Sequence, residues 1–189
     1  MDWLIEQEDI PQRPSLSPWK VVIVDDDPEV HKITQLSLSD FKFEGKEIKF
    51  VNLYSGGEAK QYFLENNDVA LVLLDIVMES DDAGLKVADF LRKELQNSYT
   101  RIVLRTGQPG SAPEHSIFQN YDIDGYIAKT NMTINVLKQS MYIALRSYRD
   151  LLRIQNYQKG LEGVVSAITN LNQIDDVMTL SNGILTQIS

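Results

Sequence analysis

The 189-residue sequence predicts an α/β fold, a (βα)5 doubly wound parallel sheet with an extended C-terminal helix. Short apolar runs rich in Val, Ile and Leu alternate with amphipathic stretches, which is the pattern of parallel strands with crossover helices. Several of these runs end on a polar side chain, the position where open α/β sheets build their sites. The last amphipathic stretch is longer than one small sheet could cover.

The first half of the chain predicts three strands and three helices. Strand 21–24 ends on Asp25, Asp26 and Asp27, and Asp27 with Pro28 reads as a helix start. This helix continues with Val30, Ile33 and Leu36 at helical spacing. Strand 48–53 leads through Ser55-Gly56-Gly57 into a helix with Ala59, Tyr62 and Phe63 facing inward. The apolar run 69–74 is typical of a strand buried on both faces, and a helix is predicted over 83–95.

The second half predicts two more strands. Strand 101–105 ends on Thr106, and the sequence Ser111-Ala-Pro-Glu114 reads as a capping box for the next helix. Strand 125–128 ends on Lys129, and a helix is expected after Asn131 or Thr133.

The last helix is expected to continue well past residue 150. A coiled-coil seam is predicted from steps of four and three through Leu137, Met141, Ala144, Tyr148, Leu151, and again through Leu161, Val165, Ile168 and Leu171. The expected cover is a second copy of the chain, and the alternative is a helix that folds back at Gly160 and Gly163.

We therefore expect a flexible segment at 1–18, a domain at 19–150, an extended helix at 134–172, and a new helix from Asp175. Residues 173–189 are interpreted as the start of a truncated following domain.

Composition excludes several classes of function. With 18 Lys+Arg against 27 Asp+Glu, net charge −9 and pI near 4.7, direct nucleic-acid binding is not expected. There is no cysteine, no signal peptide and no apolar run of membrane-spanning length, which fits a cytoplasmic protein.

The polar strand ends predict one site. In a parallel sheet Asp25, Asp26, Asp75, Thr106 and Lys129 would line one crevice. Clustered carboxylates favour Mg²⁺, and one of them could then attack phosphorus. Thr106 and Lys129 would bind phosphoryl oxygens.

The motifs VVIVDDD (21–27), LLDIVM (73–78), LRTG (104–107) and GYIAK (125–129) resemble the receiver domain of bacterial two-component response regulators over residues 19–150. The resemblance implies a flavodoxin-like fold and a regulatory phosphoacceptor, not an enzyme. Asp75 would accept phosphoryl from a sensor histidine kinase. Asp25, Asp26, Asp75 and the backbone carbonyl of Val77 would hold Mg²⁺. Lys129 would contact the phosphoryl group, with Thr106 and Tyr126 as the switch pair.

The strings DIVMESDDAG (75–84) and RTGQPGSAPE (105–114) are similar to a receiver subgroup that precedes an uncharacterised sensor-like domain. In many members of that subgroup the output is a cyclic-di-GMP phosphodiesterase of the HD-GYP type. The sequence holds no such metal cluster, and His31 and His115 are interpreted as surface or packing residues.

Three positions depart from the receiver pattern. Glu79 follows Met78 where proline is usual, in a loop that looks one residue longer. Thr130 follows Lys129 where proline is usual, so a trans peptide bond is predicted. Arg105 replaces an apolar residue and needs a carboxylate partner or access to solvent.

Two alternatives remain open. In a haloacid-dehalogenase-like phosphohydrolase, Asp25 would be the nucleophile and Asp27 the acid–base residue. A degenerate receiver would act only as an interaction module, which the complete set of site residues disfavours.

Overall fold

A computed structural model describes residues 17–107 and 120–188. Most of the segment 1–18, the capping box at Ser111 and the residue His115 therefore lie outside the described residues. The chain divides into two units, Met1–Leu145 and Arg146–Ser189. The first unit contains the sheet and every predicted site residue.

The sheet has five parallel strands in the order β2-β1-β3-β4-β5. The elements are β1 (Trp19–Val24), α1 (Pro28–Ser37), β2 (Ile48–Leu53), α2 (Gly56–Glu65), β3 (Leu71–Asp75), α3 (Ala83–Asp89), β4 (Arg101–Thr106), β5 (Gly125–Ala128) and α4 (Ile134–Ile188). All five predicted strands are present, and the helix predicted at 83–95 ends in a π-helical turn at Phe90–Glu94.

Helices cover both faces of the sheet, as the absence of polar alternation in β1, β3 and β4 predicts. All five residues of β3 and all six of β4 are buried. On one face, Ala59 and Phe63 of α2 and Val87 of α3 share a core cluster with Val72 and Leu104. On the other face, α1 reaches the sheet through Thr34, which accepts a hydrogen bond from Arg105.

Helix α1 begins as predicted and packs differently from its apolar pattern. The Asp27 carboxylate accepts from the Glu29 N–H at 2.8 Å, so Asp27 is the N-cap. Ile33 and Leu36 are exposed, whereas His31 and Thr34 are buried. His31 and Thr34 face the sheet because they hydrogen-bond to Asp25 and Arg105. The spacing of apolar residues cannot predict such contacts.

Helix α4 differs from two expectations and excludes one alternative. Leu137, Met141 and Ala144 are buried, so the first part of the predicted seam belongs to the core of the first unit. The helix runs unbroken through Gly160 and Gly163, so the fold-back alternative is wrong. It also continues through Asp175, where a new helix was expected. A glycine costs only about 1 kcal/mol in a helix interior, too little to end a helix with good formers on both sides.

Residues of the second unit form a single helical segment within α4. Several of its large apolar side chains are exposed, namely Ile154, Tyr157, Leu161, Val164, Val165 and Ile168. No helix in the described ranges combines the length and apolar character needed to cross a membrane.

Candidate functional site

The predicted site residues meet at the carboxyl edge of the sheet. Asp25 follows β1, Asp75 ends β3, Thr106 ends β4, and Lys129 follows β5. The register sets them side by side, since Asp75 pairs with Arg105 and Thr106 with Ala128. Parallel topology thus brings together side chains as far apart in sequence as residues 25 and 129.

Three carboxylates form the acidic part of the site. Ligand oxygens of Asp25, Asp26 and Asp75 lie within 4.8 Å of one another. Asp25 and Asp75 are 0% and 3% exposed, while Asp26 faces solvent. An oxygen-only donor set that is open on one side fits a hard ion such as Mg²⁺, which keeps several of its waters.

Lys129 links two of these carboxylates. Its Nζ lies 2.8 Å from Asp75 Oδ2 and 3.2 Å from Asp25 Oδ2. Burial opposes its charge, but the hydrogen bond from Lys129 to Asp75 and the charges of both carboxylates outweigh burial and raise the pKa of Lys129. The ammonium therefore stays charged throughout the neutral range.

The carboxyl of Asp75 occupies an environment that disfavours its charge. Burial raises the pKa of Asp75 above its ordinary value, and the hydrogen bond and charge of Lys129 only partly oppose this effect. Its Oδ1 accepts from the Ile76 N–H at 3.0 Å, so the side chain is held at both oxygens.

Arg105 has the carboxylate partner that its sequence position required. The side chain is 0% exposed, and its Nη2 lies 3.1 Å from Asp25 Oδ2. Its Nη1 donates to Thr34 Oγ1 at 3.0 Å. Burial lowers the pKa of Arg105, and the carboxylates of Asp25 and Asp75 oppose that shift. The site therefore contains a second protein cation besides Lys129.

Thr106 and Tyr126 lie on one face of neighbouring strands. Tyr126 pairs with Leu104, two residues before Thr106, and alternate residues of a strand share a face. Thr106 is 2% exposed, and Tyr126 is half-buried against the core cluster. This arrangement suits a side chain that repacks when its neighbour moves, although the switch itself stays a prediction.

Two predictions concern the loops that carry Val77 and Lys129. Val77 lies two residues after Asp75, and the role of its carbonyl stays a prediction. The Lys129–Thr130 peptide bond is trans, as predicted, and Lys129 opens a 3₁₀ turn, Lys129–Asn131.

Sequence reasoning missed a close backbone approach at Gly84. A Cβ at Gly84 would collide with the Asp75 carbonyl oxygen and lie 2.9 Å from Ile76 Cα. The Gly84 N–H also donates to the Ile76 carbonyl at 3.0 Å. The start of α3 can therefore touch the backbone of Asp75 only because residue 84 has no side chain. The small size of residue 84 was the only signal available in the sequence.

Two further side chains brace the site. The Glu79 carboxylate accepts from the Gly56 N–H, with oxygens at 3.0 and 3.2 Å, and so ties the loop after β3 to the start of α2. His31 is a packing residue, as interpreted: its Nε2 lies 2.7 Å from the Asp25 carbonyl oxygen and its ring lies 4.6 Å from that of Tyr54. Because a carbonyl can only accept, His31 Nε2 carries the proton in this contact.

Several solved structures with this architecture are receiver domains. A CheY-like response regulator receiver domain from Methanospirillum hungatei matches 71% of this chain and 98% of its own, at 24% identity and a TM-score of 0.56. The receiver domain of a putative Luxo repressor protein from Vibrio parahaemolyticus matches 72% of this chain and 98% of its own, at 21% identity and a TM-score of 0.59. The fold is therefore the flavodoxin-like fold of CheY-like receiver domains, followed by a long C-terminal helix.

A longer protein is similar over nearly the whole chain. A protein of Vibrio cholerae serotype O1 described as "3'3'-cGAMP-specific phosphodiesterase 2" is 41% identical over 175 residues, which are 93% of this chain. The chain spans only 34% of that relative's length. Residues 141–189 match a family described as a domain of unknown function, DUF3369.

Proposed function

We propose that this chain is the phosphoacceptor of a two-component phosphorelay, with Asp75 receiving a phosphoryl group from a sensor histidine kinase. The observation that carries the proposal is the placement of Asp75. It is a buried carboxylate at the end of the central strand, 2.8 Å from the Lys129 ammonium, with Asp25 and Asp26 beside it.

The chemistry proposed for Asp75 is nucleophilic attack on phosphorus. One carboxylate oxygen of Asp75 bonds to phosphorus, the P–N bond to the kinase histidine breaks, and that nitrogen takes up a proton. Lys129 then donates to a phosphoryl oxygen, and the Thr106 hydroxyl donates to another. Asp25, Asp26 and Asp75 would hold Mg²⁺, which offsets negative charge on the transferring group.

The phosphohydrolase alternative is not favoured by the contacts of its supposed nucleophile. Asp25 Oδ1 accepts from the Asp27 N–H at 3.1 Å, and Asp25 Oδ2 faces both Arg105 and Lys129. Asp27, its supposed acid–base residue, caps α1 instead. The chain itself is therefore proposed to be a regulatory element and not an enzyme.

The output is proposed by similarity with the longer relative. Residues 173–189 would lie within the next domain, and a cyclic-dinucleotide phosphodiesterase further along the full-length protein would be the regulated part. Phosphorylation would move Thr106 inward, repack Tyr126, and change the pairing of α4 beyond residue 145. A second copy of the chain is the proposed partner of that helix.

Intact mass spectrometry tests the acceptor. The full chain is incubated with acetyl phosphate and Mg²⁺, alongside Asp75→Asn and Asp25→Asn variants. We expect one phosphoryl addition in the wild type and none in Asp75→Asn. Addition that survives in Asp75→Asn and is lost in Asp25→Asn would instead support the hydrolase.

A further inference from the structure

Arg105 is a buried cation that contacts a predicted metal ligand. Its guanidinium is fully buried and lies 3.1 Å from Asp25 Oδ2. Arginine cannot lose its charge in a protein. The acidic cluster therefore has a fixed positive charge at its inner side, in addition to Lys129.

Lys129 and Arg105 differ in how easily each can move away from Asp25. The side chain of Lys129 is 28% exposed and sits on a flexible four-carbon stem, so it can swing from Asp25 to solvent or to a phosphoryl oxygen. Arg105 is fully buried and tethered to Thr34 of α1 by its Nη1. An ion that enters between the carboxylates can displace Lys129 from Asp25. Arg105 stays beside Asp25, because its side chain is fully buried.

We propose that Arg105 is a permanent counter-ion to Asp25 that orients this carboxylate without metal and weakens the binding of Mg²⁺ to the site. Three carboxylates against one mobile cation would leave a large unbalanced negative charge, and Arg105 removes one unit of it. A unit charge a few ångströms from a divalent ion opposes its binding by at least about tenfold in affinity, even with strong dielectric screening. The inference rests on the proposed function only in taking Mg²⁺ as the cation of the site.

The test is a calorimetric Mg²⁺ titration of the full chain and its variants. Arg105→Met removes the charge and the hydrogen bonds, whereas Arg105→Gln removes the charge and keeps an N–H donor. We expect both to bind Mg²⁺ about tenfold more tightly than the wild type, or better. Arg105→Lys keeps the charge and should stay within about threefold of the wild type.

Arg101→Met is the matched control. Arg101 lies on the same strand, is 9% exposed, and its Nη1 is 2.7 Å from Asp124 at the opposite end of β4. Its removal breaks a similar ion pair far from the carboxylates, so the Mg²⁺ affinity should not change. For a variant that is unstable without Mg²⁺, the melting temperature is measured at several Mg²⁺ concentrations. It should rise more steeply with Mg²⁺ concentration than the melting temperature of Arg101→Met does.

Equal or weaker Mg²⁺ binding in Arg105→Met and Arg105→Gln would overturn the role of Arg105, as would the absence of Mg²⁺ binding in all variants. Phosphoryl acceptance is measured separately and decides the proposed function. Tighter Mg²⁺ binding in the Arg105 variants with no phosphoryl acceptance would keep the role of Arg105 and reject the receiver function. Unchanged Mg²⁺ binding in the Arg105 variants, together with normal phosphoryl acceptance, would reject the role of Arg105 and keep the receiver function.

Discussion

Asp75, the proposed phosphoacceptor, lies where its charge is disfavoured. Burial raises its pKa, and the compensating contact with Lys129 is shared with Asp25. A folded protein that keeps such a group gives up stability for reactivity, a common property of functional sites.

We predict that Asp75→Asn is at least as stable as the wild type at pH 7. Between the ordinary and the raised pKa of Asp75, the folded chain holds a proton that the unfolded chain releases. The free energy of unfolding contributed by Asp75 therefore falls as pH rises through this window. Asparagine has no such loss, so thermal melts should show a Tm equal to the wild type or a few degrees higher, about 2–4 °C for each kcal/mol. The difference should vanish below about pH 4.

Asp40→Asn is the control for this prediction. Its hydrogen bond with Lys138 lowers the pKa of Asp40, so the sign of the linkage is opposite. That variant should gain no stability at pH 7. A clear loss of stability in Asp75→Asn at pH 7 would contradict the account of the Asp75 environment.

Gly84→Ala should destabilise the chain by about 1–3 kcal/mol, because the new methyl group overlaps the backbone of Asp75 and Ile76. Gly57→Ala is the matched control, since Gly57 is also the second residue of its helix and its Cβ would lie 3.8 Å from Ser55 Oγ. Urea unfolding of both variants measures the difference. Equal stability of the two would show that α3 can move away from Asp75 without cost.

The sequence was informative about residues where topology decides their placement. Asp25, Asp75 and Lys129 could be brought together in advance because the ends of parallel strands meet at one edge. The need of Arg105 for a carboxylate followed from burying a charge, but which carboxylate it would contact did not. Gly84 and Glu79 could not be assigned in advance, because their roles depend on distances between loop and helix backbones.

At the scale of elements, the loop after β3 is fastened to α2 by a side chain. Glu79 accepts from the first N–H of α2 while Ser55 caps the same end by accepting from Glu58. A carboxylate at a helix N-terminus also meets the positive end of the helix dipole. The loop beside Asp75, the proposed phosphoacceptor, is thereby held against a neighbouring helix.

Glu79→Ala should lower stability by about 0.5–2 kcal/mol, the range for losing a helix cap. Asp81→Ala removes an exposed acid from the same loop and should cost far less. Denaturant unfolding measures both. The interpretation of Glu79 fails if the two variants are equally stable.

Among the strands, β2 and β5 were predicted best, although each has a single buried residue. β2 and β5 have the predicted bounds because strand runs of Val, Ile and Leu are bounded by polar or glycine residues. The buried face of α1 was missed because it is polar. The extended helix was predicted through residue 172, but its continuation through Asp175 was missed because an acidic residue before an apolar run is also typical of a helix start.

At the scale of the whole molecule, the exposed apolar side chains of the second unit need an explanation. Tyr157, Leu161 and Val165 are 72%, 66% and 62% exposed, and their steps of four follow one helix face. A partner helix from a second copy would bury this stripe.

The proposed dimer predicts that Leu161→Glu is a monomer where the wild type is a dimer, because the variant places a charge within the apolar stripe. Asn156→Glu adds the same charge at an exposed position on the opposite face of the helix and should leave the proposed dimer intact. Light scattering after size-exclusion chromatography gives the mass of each variant. The helix is not the dimer contact if both variants keep the mass of the wild type.

The central claim is that Asp75 carries the phosphoryl group, and site mapping tests it most directly. After reaction with acetyl phosphate and Mg²⁺, borohydride reduction converts an aspartyl phosphate to homoserine, which peptide mass analysis locates. The account predicts homoserine at position 75 and an unmodified Asp25. Homoserine at Asp25, or none in protein that carries a phosphoryl group, would contradict it.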